Sequence, residues 1–438
     1  MRAIFLLFMM LIMVPTSFFA PFAGLLIFTW AAYVRPHEWA YVESAQYSLG
    51  IVVATLLGYL CFELPRRAPR IVPNLMIVLL WLQLSLSTIM AQSQDAALPK
   101  YFEFSKILFL ALVTTAMVTT EKRVWWLLLV TLGSIGMIVA KANVSIIIHK
   151  GAVKVFGVGG ATADNNDFAL LLALTIPMIF YFAKAQTNFW LKAGFYSLTV
   201  MGVVASLFTY SRGGLLGLAG GVLVMILKSR YKIVNLIAVT IIALVTFFAL
   251  PQSLVERFES IKGADKNDQS AQQRLRVWGI SADIIKSHPF VGVGIRNILF
   301  VHGRYAEQTD PILMSHDAYL QMATDAGVPA LALFLGLLGI TFWRLRQTRK
   351  ILRIHAPDSP LIKYSHGMEA GLVGYLISAI FASRQDLELL YTVIALATSF
   401  ILIAREYQKE NEIREYVQRQ IPLQPSRAFD LEPGLDAA

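Results

Sequence analysis

The chain has 438 residues, of which 56% are hydrophobic and 15% charged, with a mean hydropathy of +0.60. Soluble domains run at roughly 45–50% apolar and about 25% charged residues, so water alone is excluded as the surround and lipid must take the surplus. The net charge of +10 would point to nucleic acid in a soluble protein; here the basic residues crowd between apolar runs, as the positive-inside rule requires, and no nucleic-acid partner is expected.

A spanning helix needs about 20 mostly apolar residues. Apolar runs fall at 3–34, 48–62, 71–91, 102–118, 124–140, 165–183, 193–210, 214–227, 233–250, 317–343, 367–383 and 387–404. The expected fold is therefore all-α, a polytopic membrane protein of about twelve transmembrane helices over 1–404. The first run continues past Pro15 and Pro21 without a small-residue cleavage site, so it reads as a retained anchor. Taken as one broken span it gives twelve crossings, the preferred reading; taken as a hairpin turning at Pro15–Pro21 it gives thirteen. The lone cysteine, Cys61, sits in an apolar run and reads as a buried thiol, with no disulfide or cysteine metal site open to it.

Basic residues set the orientation. One group of short loops holds Arg66, Arg67 and Arg70, then Lys122 and Arg123, Lys184 and Lys192, Lys228, Arg230 and Lys232. The same group ends with Arg344, Arg346, Arg349, Lys350, Arg353 and Lys363. That side is expected to be cytoplasmic. Loops 91–101, 141–164, 211–213, 251–315 and 384–386 then face outward, towards the periplasm of a Gram-negative cell. The tail 405–438 is expected to be cytoplasmic, with a short helix at its start and a disordered end. Within 251–315, the longest outer loop, Leu275, Trp278, Ala282 and Ile285 recur at helical spacing. His288-Pro289 would end that helix, and Gly292–Gly294 would follow as a turn.

Four features of the outer side could carry chemistry. Arg212 stands in TYSRGG at the end of a span, where the plain alternative is an arginine snorkelling to water. Arg274, Arg276, Lys286, Arg296 and Arg304 cluster in the long loop, broken by one acid, Asp283; arginine forks match phosphate oxygens in pairs, and the alternative is a solvated basic face. His316, beside Asp317 and close to Tyr319, lies where the chain re-enters the membrane and could accept a proton; a polar interfacial histidine is the alternative. Asp164, Asn165, Asn166 and Asp167 precede a span and read first as a helix cap. No P-loop, metalloprotease, nucleophile-elbow or metal-ligand spacing occurs, so no metal and no cofactor is expected.

The order of these pieces resembles the O-antigen ligase and polymerase superfamily of bacterial membrane glycosyltransferases. The carrying segments are Ser211–Gly214, Arg274–Trp278, His288–Gly294, and His316–Leu320 followed by Gly327–Phe334. The stretches TWAAYVRPHEWAY at 29–41 and ADNNDFALLLALTIPM at 163–178 look like the subgroup of O-glycosylation ligases that accompany exosortase systems. The resemblance implies a helical lipid-donor fold of the GT-C type in the inner membrane. It implies transfer of a glycan from undecaprenyl diphosphate to a hydroxyl acceptor (lipid A core, protein or glycan) on the periplasmic side. Arg212, Arg274 and His316 match the family's arginines and histidine; Arg276, Arg296, Asp317, Tyr319 and Asn165 are expected to help bind substrate. Asp317 replaces the commoner Asn. Two arginines would stabilise a diphosphate that is already an activated leaving group, and a single displacement would invert the anomeric centre. A chain-elongating polymerase is the alternative within the family. A transporter of the lipid-linked glycan fits less well, because the spans look almost free of ionisable residues.

Overall fold

The structure, a computed structural model, describes residues 2–36, 47–63, 72–159, 162–249, 269–305 and 314–420. Arg66, Arg67, Arg70, most of the expected outer loop before Gln269 and the expected disordered end of the tail lie outside the described residues.

Among the described residues every regular element is a helix. In chain order these are α1 (Arg2–Phe19), α2 (Pro21–Val34), α3 (Tyr47–Gly58), α4 (Val72–Ile89), α5 (Gln94–Met117), α6 (Glu121–Ile148) and α7 (Asn165–Ala185). There follow α8 (Phe189–Phe208), α9 (Arg212–Leu227), α10 (Lys232–Ala249), α11 (Gln269–Ser287), α12 (Ala318–His355), α13 (Leu361–Ser378) and α14 (Glu388–Gln420). Six of them, α4, α6, α7, α8, α12 and α14, are long and apolar enough to cross a membrane. Large apolar side chains such as Leu82, Val200 and Leu216 stand exposed on their outer faces, an arrangement that only lipid tolerates at this density.

Three expectations are corrected by the helices. The first apolar run is not one broken span: the chain folds back at Ala20, bringing Gly24 against Ser17 seven residues earlier, so α1 and α2 pack side by side as a hairpin. Pro21 sits at the first position of α2, where its missing N–H costs nothing. Cys61 is exposed, on the π-helical turn Tyr59–Glu63 that follows α3. The buried face of α11 is Val277, Ile280, Ser281 and Ile284, while Leu275 points outward; the true stripe has the same period as the expected one but is rotated around the helix.

α7 lies at the centre, its side chains almost all buried, with α8, α9 and α13 packed around it. Close approach depends on glycine. A Cβ on Gly371 of α13 would strike the Leu174 carbonyl of α7, and one on Gly217 of α9 would strike Ser378. Small residues at such crossings let helices associate in lipid through packing alone.

Polar groups gather at the two ends of the bundle. At one end Arg123 pairs with Glu63 at 2.9 Å, and Ser359 donates to Glu121. At the other, Lys100 pairs with Asp386 and Arg384 with Asp167. Each end gathers residues from one of the two sets of loops that the basic residues separate.

α12 holds the device that shapes the second end. Gly327, at φ 80° and ψ 172°, interrupts it. The break frees the carbonyls of Thr324, Asp325 and Ala326, and buried carbonyls need donors. The Gly292–Gly294 turn supplies two: Val293 N–H donates to Thr324 at 2.9 Å and Gly294 N–H to Asp325 at 3.0 Å. Gln83 donates to Ala326 at 2.9 Å and Ser87 to Asp325 at 2.5 Å, both from α4. A Cβ at Gly292 or Gly327 would collide with this backbone, and both have positive φ. The HPxxGVG and GVP motifs, far apart in sequence, are therefore one interlock.

Candidate functional site

A polar cavity with about 230 Å³ of open space lies at this end, floored by the starts of α5, α7 and α12 and by the 382–386 segment. Lys100 and Arg384 stand on its floor. Lys100, two turns into α5, contacts Asp386 at 2.6 Å and Glu103 at 2.9 Å. Arg384 pairs with Asp167 in the first turn of α7 and lies 3.9 Å from Asp386. Burial pushes the Asp386 carboxyl up, but Lys100 and Arg384 more than offset this and hold it below its ordinary value. The third carboxylate, Asp325, accepts from Gln321 at 2.7 Å, from Gln385 at 3.3 Å and from the Arg296 N–H at 3.2 Å. Nε of Arg384, Oε1 of Gln385 and Oδ1 of Asp386 are buried without a hydrogen-bond partner among the described residues. Leaving such atoms unpaired costs about 1–3 kcal/mol each, so a polar ligand that reached them would gain binding energy.

His316 is at the rim. It lines the cavity from a turn held at φ 49°, a backbone conformation few non-glycine residues adopt. The Ser315 hydroxyl fixes the turn, lying 2.9 Å from the Gln321 side-chain oxygen and 3.1 Å from the Asp317 carbonyl. Trp278 of α11 donates its indole N–H to the Ser315 carbonyl at 2.9 Å. That bond docks α11 on the turn and places Arg274, one helical turn before Trp278, within electrostatic reach of His316. Burial and then the Arg274 charge hold the imidazole below its ordinary value of 6.5, against the opposing pull of Asp164. The ring is thus a neutral base near pH 7.

Of the other expected site residues, Arg296 also lines the cavity. Arg212 is exposed at the first position of α9, whose cap Ser211 accepts from Gly214 N–H at 3.2 Å. Gly213 packs on Phe381, and its carbonyl accepts from Ser378, so Arg212 starts its helix beside the segment that carries Arg384. Arg212, Arg274 and Arg276 are not among the residues that line the cavity, and Arg276 is exposed on α11.

Three residues expected to bind substrate spend their polar atoms on the frame. Asp317 caps α12, accepting from the Tyr319 and Leu320 N–H groups at 2.8 Å, and burial raises its carboxyl despite those bonds. Tyr319 donates to the Leu376 carbonyl at 2.8 Å. Asn165 donates to Thr209 at 2.9 Å, tying α7 to the turn before Arg212.

Sequence reading missed Lys100, Asp167, Asp325, Arg384 and Asp386. Asp167 stood in a stretch read as a cap, and the cap itself is Asp164, which accepts from Asn166 N–H at 2.8 Å. Arg384 and Asp386 were visible as charges packed into a three-residue loop between apolar runs. Lys100, Asp167 and Asp325 are within helices but near the cavity end, not in the middle of the spans. Among the described residues no group of three or more His, Cys, Asp or Glu is placed to hold a metal ion.

Two known families match parts of the chain. Residues 197–335 match the family described as O-Antigen ligase. Residues 1–187 match a family of unknown function, DUF5935. No curated protein matches the chain. The O-antigen ligase match spans Arg212, Arg274, Arg276, Arg296, His316, Asp317 and Tyr319; Asn165, Lys100, Asp167, Arg384 and Asp386 lie outside it.

Proposed function

We propose, from an O-antigen ligase domain set in a helical membrane protein, that the chain is an inverting, metal-independent glycosyltransferase of the inner membrane. It moves a glycan from undecaprenyl diphosphate to a hydroxyl acceptor on the periplasmic side, in a GT-C-like bundle of thirteen crossings counted with the α1–α2 hairpin. The observation that carries the reading is His316 lining one polar cavity while the charge of Arg274, on the helix docked at the His316 turn, acts on its ring, both residues being inside the matched domain.

In this reading the neutral His316 takes the acceptor's proton as its oxygen bonds to the anomeric carbon. The bond from that carbon to the phosphate oxygen breaks, and its electron pair leaves on the lipid diphosphate. Arg274 and Arg212 stabilise that charge, a task for which forked donors suit better than a point charge. General base catalysis supplies about 10²–10⁴-fold of the rate. Donor binding has a second effect: diphosphate beside Arg274 offsets the charge that depresses His316, so the base strengthens once the donor is seated. The acceptor class within this reaction is a protein hydroxyl in the exosortase-associated reading, which the 29–41 and 163–178 stretches support.

The test is reconstitution of the purified protein with a defined undecaprenyl-diphosphate glycan and hydroxyl acceptors in turn. The expected result is release of undecaprenyl diphosphate with glycan on the acceptor, undiminished by saturating EDTA. Loss of transfer in EDTA, restored by Mg²⁺ or Mn²⁺, would contradict the metal-independent mechanism.

A further inference from the structure

The basic residues that orient the chain do more than fill loops at the end remote from the cavity. α12 runs on past its last apolar turns to His355, so Arg346, Arg349, Lys350 and Arg353 are helical. Their spacing of three and four puts them on one face. From Gly327 to Arg346 the helix rises about 28 Å, the depth of a hydrocarbon core, which sets this cluster at the opposite membrane surface.

There the face closes on α13 and the end of α9 around a recess with about 630 Å³ of open space. Among the described residues a single carboxylate serves it. Glu369, almost wholly buried, pairs with Lys228, with Arg349 and, at 3.2 Å, with Arg346. Arg349 also donates to the Ser365 carbonyl at 3.2 Å. Lys350, Arg353 and His366 line the same recess, and Nδ1 of His366 is buried with no partner among the described residues. Five cations thus surround one anion. Like charges at these spacings destabilise a helix, so folding alone gives no reason to gather them.

The rim is apolar on one side. Ile354 lines the recess with 70% of its surface exposed. One turn before the cluster, exposed Trp343 carries the Arg344 guanidinium 5.0 Å from its ring centre. An exposed tryptophan beside arginines marks the headgroup level of a bilayer, where a ligand presents phosphate and acyl chain together.

We propose that this recess is a binding site for the phosphodiester headgroup of an anionic phospholipid. The phosphate sits between Lys350, Arg353 and Arg346, and the acyl chains leave past Ile354. Basic pockets between spans on the inner side suit such headgroups. The site is independent of the glycan chemistry at the other end.

Lys350→Gln with Arg353→Gln is the informative variant, because neither residue pairs with Glu369 among the described residues and the buried network stays intact. Full-length protein in neutral detergent is titrated with phosphatidylglycerol, phosphatidylcholine and inorganic phosphate, with binding read by native mass spectrometry and by melting temperature. Phosphatidylglycerol binds wild type and raises its melting temperature, and phosphatidylcholine does neither. The double variant melts like wild type in phosphatidylcholine and binds phosphatidylglycerol about 30-fold more weakly, equivalent to about 2 kcal/mol at about 1 kcal/mol per basic residue. Lys363→Gln, an exposed lysine outside the recess, retains full binding. Equal binding by the double variant and wild type overturns the proposal. So does displacement of phosphatidylglycerol by millimolar inorganic phosphate, which would make this a soluble-anion site.

Discussion

Replacing Arg384 by Gln removes the cation between Asp167 and Asp386. The side chains are 18%, 12% and 6% exposed respectively, so water replaces little of what is lost. Asp386 keeps Lys100 at 2.6 Å; among the described residues Asp167 keeps the amide dipoles of the first turn of α7. One carboxylate, not two, is orphaned. Breaking a buried pair costs about 3–5 kcal/mol, and the helix terminus returns about 0.3–1 kcal/mol, which sets the expectation near 3 kcal/mol at neutral pH. Asp167→Asn alone costs less, about 1–2 kcal/mol, because Arg384 still has Asp386 nearby. The double variant buries no unpaired carboxylate at 167 and recovers about 2 kcal/mol of the summed loss. Reversible unfolding in mixed micelles, followed through tryptophan fluorescence, gives the four corners of the cycle. Additivity to within about 0.5 kcal/mol would mean that Arg384 and Asp167 do not act as a pair and that the floor of the cavity is described wrongly.

Other consequences are independent of that pair. Trp278→Phe keeps the ring but loses the bond to Ser315, so stability falls by about 0.5–1.5 kcal/mol while transfer falls further because α11, and Arg274 with it, is no longer docked on the His316 turn; a kcat unchanged from wild type would refute the docking role. The acid limb of kcat/KM lies below pH 6.5 for the free enzyme, since a depressed imidazole loses its base form only as pH falls through the lowered value, and the limb of kcat lies higher once diphosphate offsets Arg274; coincident limbs would contradict the coupling. In a Cys61→Ser background, needed because Cys61 is exposed, an impermeant thiol reagent applied to spheroplasts labels a cysteine at Gly303 and spares one at Asp358. The reverse pattern would invert the proposed topology.

Helices were legible wherever apolar runs met a breaker. The end of α11 before Pro289 and the long apolar stretches of α7 and α8 are of this kind. Boundaries were not legible where a helix leaves the membrane and continues as a polar rod. α12 and α14 outrun their apolar runs because Arg, Lys, Glu and Gln are good helix formers in water. The α1–α2 fold-back was weighed in the sequence but not preferred for a related reason: a hairpin within lipid needs no polar turn, and Ala20-Pro21 sufficed. At the site, His316, Arg274 and Arg296 were readable because basic residues on an outer loop are conspicuous. Asp325 was not, because one acid seven residues into a helix has no periodic signature; only the interlock of Gly327 with Gly292–Gly294 shows why its carboxylate faces a cavity. Lys100 and Arg384 were opaque for the same reason, since pairing across more than two hundred residues is set by packing. The basic residues of α12 were read for orientation alone, and their convergence on Glu369 depends on α9 and α13 lying alongside.

The central claim is that His316 acts as the base beside Arg274. Single-turnover transfer by His316→Ala, with donor binding measured on the same preparation, tests it most directly. The expected result is a loss of about 10²–10⁴-fold in the chemical step, with donor affinity kept within a factor of two or three of wild type, in contrast to Arg274→Ala, which loses both. Transfer by His316→Ala at the wild-type rate, or a loss wholly accounted for by weaker donor binding, would contradict it.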